Sequence, residues 1–128
     1  MTPLVLDTGA LIGLDRNDRA LWALLKAAAL ASDPVVVPTA AFAQAWRSGP
    51  RQARLAAALD YCEIASFDTM ARAAGELCGR THTSDVMDAS VALTAARVGG
   101  ALLTSDPLDL TGLLRGIRGA RSVRVMAC

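Results

Sequence analysis

"TPLVLDTGALIG" (residues 2–13) sets an Asp-Thr-Gly directly behind a short apolar run, so the meaning of Asp7 depends on what surrounds it. In a retroviral-type acid protease such a tripeptide lies in an all-β chain, and two copies meet so that their carboxylates share a proton. The segments that follow here, "RALWALLKAAALA" (19–31) and "RQARLAAALD" (51–60), are instead runs of strong helix formers. The protease reading fails on that context. Asp7 is left as a carboxylate ending a buried strand in a chain that mixes strands and helices.

Outward from Asp7, the chain alternates in type. "PLVLD" (3–7), "DPVVVP" (33–38), "CEIAS" (62–66), "ALLTS" (101–105) and "SVRVMA" (122–127) read as strands. Between them the pattern predicts a helical turn over 10–14 and a helix over 17–31 with Leu21, Leu24, Leu25 and Ala28 on one side. Thr39 is expected to cap "AAFAQAWR", which "SGP" then ends. Further helices are predicted over 51–61 and 67–79, in "DVMDASVALTAARVGG" with its Gly stop, and around "PLDLTGLLRGI". Continuous apolar strands alternating with helices imply an α/β fold: a mostly parallel sheet of about five strands, with helices on both faces. Without repeats, low-complexity segments or a linker, residues 1–128 are expected to form a single domain.

Composition excludes several classes. The chain is 53% hydrophobic and only 4% aromatic, which describes a dense aliphatic interior rather than a disordered segment. A net charge of +1 gives no global basic field for nucleic acid. The cations are Arg apart from Lys26, and the acids are Asp apart from Glu63 and Glu76. The start "MTPLVLD" has no basic n-region, and no apolar run approaches the roughly 18 to 20 residues of a membrane span, so a soluble cytoplasmic protein is expected. Cys62, Cys78 and Cys128 are an odd set without C-x-x-C spacing, which argues against a disulfide framework. Cys78 and His82 stand four apart, as two zinc ligands on a helix would, but further ligands are lacking. With His82 the only histidine, a paired-histidine ribonuclease is excluded, and no G-x-S-x-G elbow or glycine-rich nucleotide loop occurs.

The acids carry what remains. Ligands of open α/β sheets bind beyond the carboxyl ends of the strands, and there Asp7 ends one strand while Asp106 follows another. Asp88 lies in the first turn of the helix before that second strand, with Asp85 three residues earlier on the same face. Converging carboxylates repel unless protonated or neutralised, and a divalent cation resolves the conflict. Plain structural roles compete: Asp85 suits a helix cap with Asp88 at N3, and Asp106 stands before Pro107 with Asp109 at N3. Asp7 shows no obvious capping need.

Three segments in order, "LVLDTGALIGL" (4–14), "DVMDASVALTAAR" (85–97) and "ALLTSDPLDL" (101–110), resemble the PIN-domain family, most closely the VapC-type toxins of bacterial toxin–antitoxin pairs. The resemblance implies a three-layer α/β/α sandwich that cleaves RNA with Mg²⁺ or Mn²⁺, forms a homodimer and is silenced by a VapB-like antitoxin. It makes Asp7, Asp88 and Asp106 metal ligands and catalytic acids, with Thr104 and Ser105 lining the site and Thr8 behind it. Where the family usually carries a Glu, after the second strand, this chain has Gln44, and neither Glu63 nor Glu76 is placed to substitute. Gln44 brings no charge to a cation, so the alternative is a degenerate PIN module that binds RNA or a partner without efficient cleavage. Arg16, Arg19, Arg47 and Arg51 are the expected RNA contacts around the acids.

Overall fold

The computed structural model describes residues 2–128. Its elements run β1 (Leu4–Leu6), α1 (Thr8–Asp15), α2 (Arg19–Leu30), β2 (Val35–Pro38), α3 (Thr39–Ala45), α4 (Ala53–Leu59), β3 (Glu63–Ala65), α5 (Ala71–Thr81), α6 (Val86–Val98), β4 (Gly100–Thr104), α7 (Pro107–Arg115) and β5 (Val123–Ala127). Single turns of 3₁₀ helix at Pro50–Gln52, Asp68–Met70 and Ala120–Ser122 lead into α4, α5 and β5.

All the strand pairings are parallel, in the order β3-β2-β1-β4-β5. The chain winds outward from β1 to β3, then crosses back over to β4 and β5. Right-handed crossovers therefore set α1 to α4 on one face and α5 to α7 on the other. The helix contacts agree, since α1 touches α2, α3 and α4 whereas α6 touches α5 and α7. The reversal of winding falls between β1 and β4, which is the switch point where such sheets open a crevice.

Burial explains the strand sequences. Leu4–Leu6 and Val35–Val37 are buried throughout, as strands covered on both faces must be. The two edge strands depart, with Glu63 and Ile64 exposed on β3 and Arg124 and Ala127 exposed on β5. Each fully buried Leu, such as Leu11, Leu25, Leu102 or Leu103, contributes on the order of 2 kcal/mol through removal from water. On α2, Leu21, Leu25 and Ala28 are buried and Leu24 partly so. Asp18 caps that helix by accepting from the Leu21 N–H at 3.1 Å, and the Trp22 indole N–H donates to the Leu14 carbonyl at 2.9 Å, tying α2 to α1.

Several boundaries move. The helical turn expected over 10–14 is the full helix α1, and the helix expected from Phe67 begins at Ala71 after a 3₁₀ turn. Thr39 does not cap α3: Pro38 holds the cap position, and the Thr39 hydroxyl donates to the Ala65 carbonyl at 2.6 Å. Because β3 lies beside β2, that carbonyl comes within reach of the Thr39 hydroxyl.

Gly100 opens β4 at φ +93°, and a Cβ there would stand 2.3 Å from the Pro3 carbonyl oxygen, the atom that accepts from the Ala101 N–H. Gly112 sits in α7 with open space around it. Gly100→Ala is expected to destabilise the fold by about 1–3 kcal/mol in urea unfolding, while Gly112→Ala leaves stability unchanged or raises it by up to about 1 kcal/mol.

Candidate functional site

At the end of β1 the Asp7 N–H still donates to the Leu103 carbonyl at 3.1 Å, and the next residue already begins α1. The first turn of α1 therefore needs an acceptor, and Asp7 Oδ1 takes the Ala10 N–H at 2.9 Å. Asp7 is thus a helix cap after all, a role the sequence hid because strand and helix abut without a loop. Gly9 permits the close approach of α1 to the residue after β4, since a Cβ there would collide with the Ser105 side chain. Asp7 is only 6% exposed, and burial raises its pKa above the ordinary value. Hydrogen bonds from Thr104 and from the Ala10 and Ser105 backbones oppose that rise, and the neighbouring Asp106 charge adds to it.

Asp106 follows β4 across the switch point. Its N–H donates to Thr104 Oγ1 at 2.9 Å, and its side chain makes no cap bond to α7, so its carboxylate is left for the pocket. At the start of α6, Asp85 caps the helix by accepting from the Asp88 N–H at 3.0 Å. Asp88 is half-buried, and its pKa is pushed up to about 6, first by desolvation and then by the charges of Asp85 and Asp106 and, more weakly, Asp7.

These four acids line one open cavity of about 440 Å³ together with Thr8, Gly9, Ile12, Gln44, Arg47, Val91 and Ser105. Gln44 reaches the position expected of it beside the acids, where its Oε1 accepts from the Thr8 hydroxyl at 2.6 Å. Of the four arginines expected around the acids, Arg47 alone forms part of the wall, with its guanidinium donating to the Ala43 and Trp46 carbonyls. Arg16 and Arg51 are absent from the wall, and Arg19 lines a separate groove with Asn17, Trp22 and Lys26. A second cavity, of about 530 Å³, opens on the other side of Asp85 and Asp88 and is lined by Thr81, Thr83, Ser84 and Asp109.

Among the described residues, no three His, Cys, Asp or Glu side chains are gathered closely enough to hold a metal ion as they stand. The donors nonetheless fit an oxygen-preferring dication in kind: they are carboxylates, burial and the charges of their neighbours raise the pKa of Asp7 and of Asp88, and Asp106 is free of helix-capping duty. Side-chain closure is what such an ion would require. The Cys78 and His82 pair belongs to a helix end, with Cys78 buried and His82 closing α5 in the left-handed region at φ 57°.

Cys128 escaped sequence reasoning. Its backbone N–H donates to the Thr104 carbonyl at 3.0 Å, and its thiol pKa is pushed up to about 11 by burial, then by the charges of Asp7 and Asp18. Only the pairing of β5 with β4 carries it there. Ile12 and Val91 were equally invisible, since an apolar residue on a pocket wall looks like any core residue.

Because Asp88 holds its proton more tightly when folded, with a pKa raised from 3.8 to about 6, its ionisation opposes folding. The stability present below about pH 4 is therefore lost as pH rises to about 6. Two pKa units correspond to just under 3 kcal/mol, and solvent screening of a half-exposed carboxyl cuts this to about 1. In EDTA, Asp88→Asn is expected to flatten that limb of the stability–pH curve and to raise the melting temperature at pH 7 by about 4 °C.

No family model matches the sequence, and no curated protein does. No helix among the described residues is long and apolar enough to cross a membrane. The structure is similar to a chain in the crystal structure of VapBC2 from Rickettsia felis bound to a DNA fragment from their promoter. The TM-score is 0.71 at 14% identity, over 99% of this chain and 99% of that one. At that identity the likeness establishes a shared fold, the PIN-like α/β arrangement with a five-stranded parallel sheet that the three segments implied.

Proposed function

We propose that residues 1–128 form one PIN-like domain acting as a metal-dependent endoribonuclease toxin of VapC type. The observation that carries this is the convergence of Asp7, Asp85, Asp88 and Asp106 on one cavity at the switch point of the sheet, with Arg47 the one cationic side chain in its wall among the described residues. Asp7, Asp88 and Asp106 would hold Mg²⁺ or Mn²⁺, which when bound supplies charge neutralisation, an acidified water and support for the departing oxygen. The protein's part is positioning. Thr104 and the Ser105 backbone keep Asp7 oriented, and Arg47 on the rim offers a cation to the RNA backbone. With Oε1 taken by Thr8, Gln44 has its amide nitrogen to give to a phosphate oxygen. In-line attack by water on phosphorus breaks the bond to the 3′-oxygen and leaves a 3′-hydroxyl and a 5′-phosphate.

The likeness to VapBC2 supports a VapB-like antitoxin as partner, and exposed apolar side chains such as Leu30, Tyr61 and Leu108 support association into a homodimer. The uncharged Gln44 favours a second reading, a degenerate module that binds RNA or a partner without efficient cleavage.

Removing one carboxylate charge from the cavity weakens a cation more than it disturbs the core. Asp88→Asn is expected to abolish Mn²⁺-dependent cleavage of RNA while its circular dichroism stays that of wild type. Cleavage unaffected by EDTA, or equal in both proteins, overturns the nuclease reading. A carboxylate at position 44 beside a dication gains about 1–3 kcal/mol, so Gln44→Glu is expected to bind Mn²⁺ roughly tenfold tighter in calorimetric titration, with faster cleavage. Unchanged affinity means that Gln44 does not face the ion.

A further inference from the structure

Next to the acid cavity lies a smaller one, of about 200 Å³, lined by Thr39, Ala40, Ala43, Phe67, Val86 and Met87. The same two helices build both: Ala43 precedes Gln44 on α3, and Val86 and Met87 stand between Asp85 and Asp88 at the start of α6. Where the acid cavity is carboxylate-rich, this one has no charged side chain in its wall among the described residues. Val86 and Met87 are 41% and 37% exposed, unusual for apolar side chains flanking catalytic candidates.

Resting on the ribonuclease reading, we propose that this cavity receives one unpaired base of the RNA beside the phosphate that is cleaved. Its size admits a single planar ring system, whereas a helix from a protein partner needs a groove several side chains long. An aromatic ring, a thioether and methyl groups offer the faces on which unpaired bases stack, and the missing charge spares an anionic strand the repulsion of the neighbouring acids. Because residues of the two linings are chain neighbours on α3 and at the start of α6, a base and its own phosphate can occupy the two cavities together. An RNA whose base at this position is paired cannot enter, so the site selects single-stranded segments and loops.

The test uses the full chain and fluorescein-labelled single-stranded oligoribonucleotides, each with one abasic position, read by anisotropy in EDTA and by cleavage in Mn²⁺. One abasic position next to the cut is expected to weaken wild-type binding about tenfold. Met87→Asp should bind the intact oligonucleotide about tenfold more weakly, be insensitive to that abasic position, and raise KM more than it lowers kcat, while Met87→Leu restores wild-type behaviour. If RNA is bound and cut but neither abasic substitution nor Met87→Asp matters, the base site is overturned and the nuclease reading stands. If wild type neither binds nor cuts any RNA, both fall. A wild-type dimer that Met87→Asp splits into monomers in sedimentation, with RNA binding unchanged, assigns the face to a second copy of the chain and also overturns the proposal.

Discussion

Parallel pairing of Leu4 with Ala101, Val5 with Leu102 and Leu6 with Leu103 brings the carboxyl ends of β1 and β4 to one level. Everything in the acid cavity depends on that register. It sets the Asp7 N–H on the Leu103 carbonyl, puts Thr104 against the Asp7 side chain and leaves Asp106 one turn of chain away. A slip of one residue would displace one strand end from the other by about 3.3 Å and turn the slipped side chains to the opposite face, so packing of Leu102 and Leu103 in the core protects the site's geometry as well as the fold's stability. Gly100 and Gly9 belong to the same constraint, since each stands where a Cβ would drive neighbouring chain apart.

The site accumulates like charge that the fold itself does not relieve. Burial and repulsion by neighbouring carboxylates raise the pKa of Asp7 and of Asp88, and the guanidinium of Arg47 in the wall donates to the Ala43 and Trp46 carbonyls at the end of α3. Such stress lowers stability and favours whatever neutralises it, whether protons or a cation. Two of the acids are held by secondary structure in a second way: Asp7 caps α1 and Asp85 caps α6. Capping and charge convergence are therefore not alternatives. A cap places a carboxylate rigidly at a helix start, and when two helix starts meet at one sheet edge the caps become neighbours.

Much of the fold was legible because its signals are local. Apolar runs such as "LVL" and "PVVVP", and Ala/Leu helices broken by Gly and Pro, carry their own period, and their alternation implies a parallel sheet. That Asp7, Asp88 and Asp106 gather at one sheet edge was legible because a carboxylate at the end of a buried strand, or in the first turn of a helix, is conspicuous in one dimension. Arg16, Arg19 and Arg51 were not separable from Arg47, since an arginine in or beside a helix looks the same in one dimension whichever way it faces.

What the amino-acid order determined by itself was element type, the parallel character of the sheet and the acids at its edge, all properties of periodicity and of residue chemistry within a few positions. Only the tertiary structure decided that Asp7 caps α1, that Thr39 serves the Ala65 carbonyl rather than its own helix, that Cys128 closes on Thr104, and that an apolar cavity adjoins the acids. Each depends on which of several chemically equivalent partners lies nearest once the sheet has formed. That choice is made by strand order and register, which join residues as far apart as Asp7 and Asp106, and no local pattern encodes it.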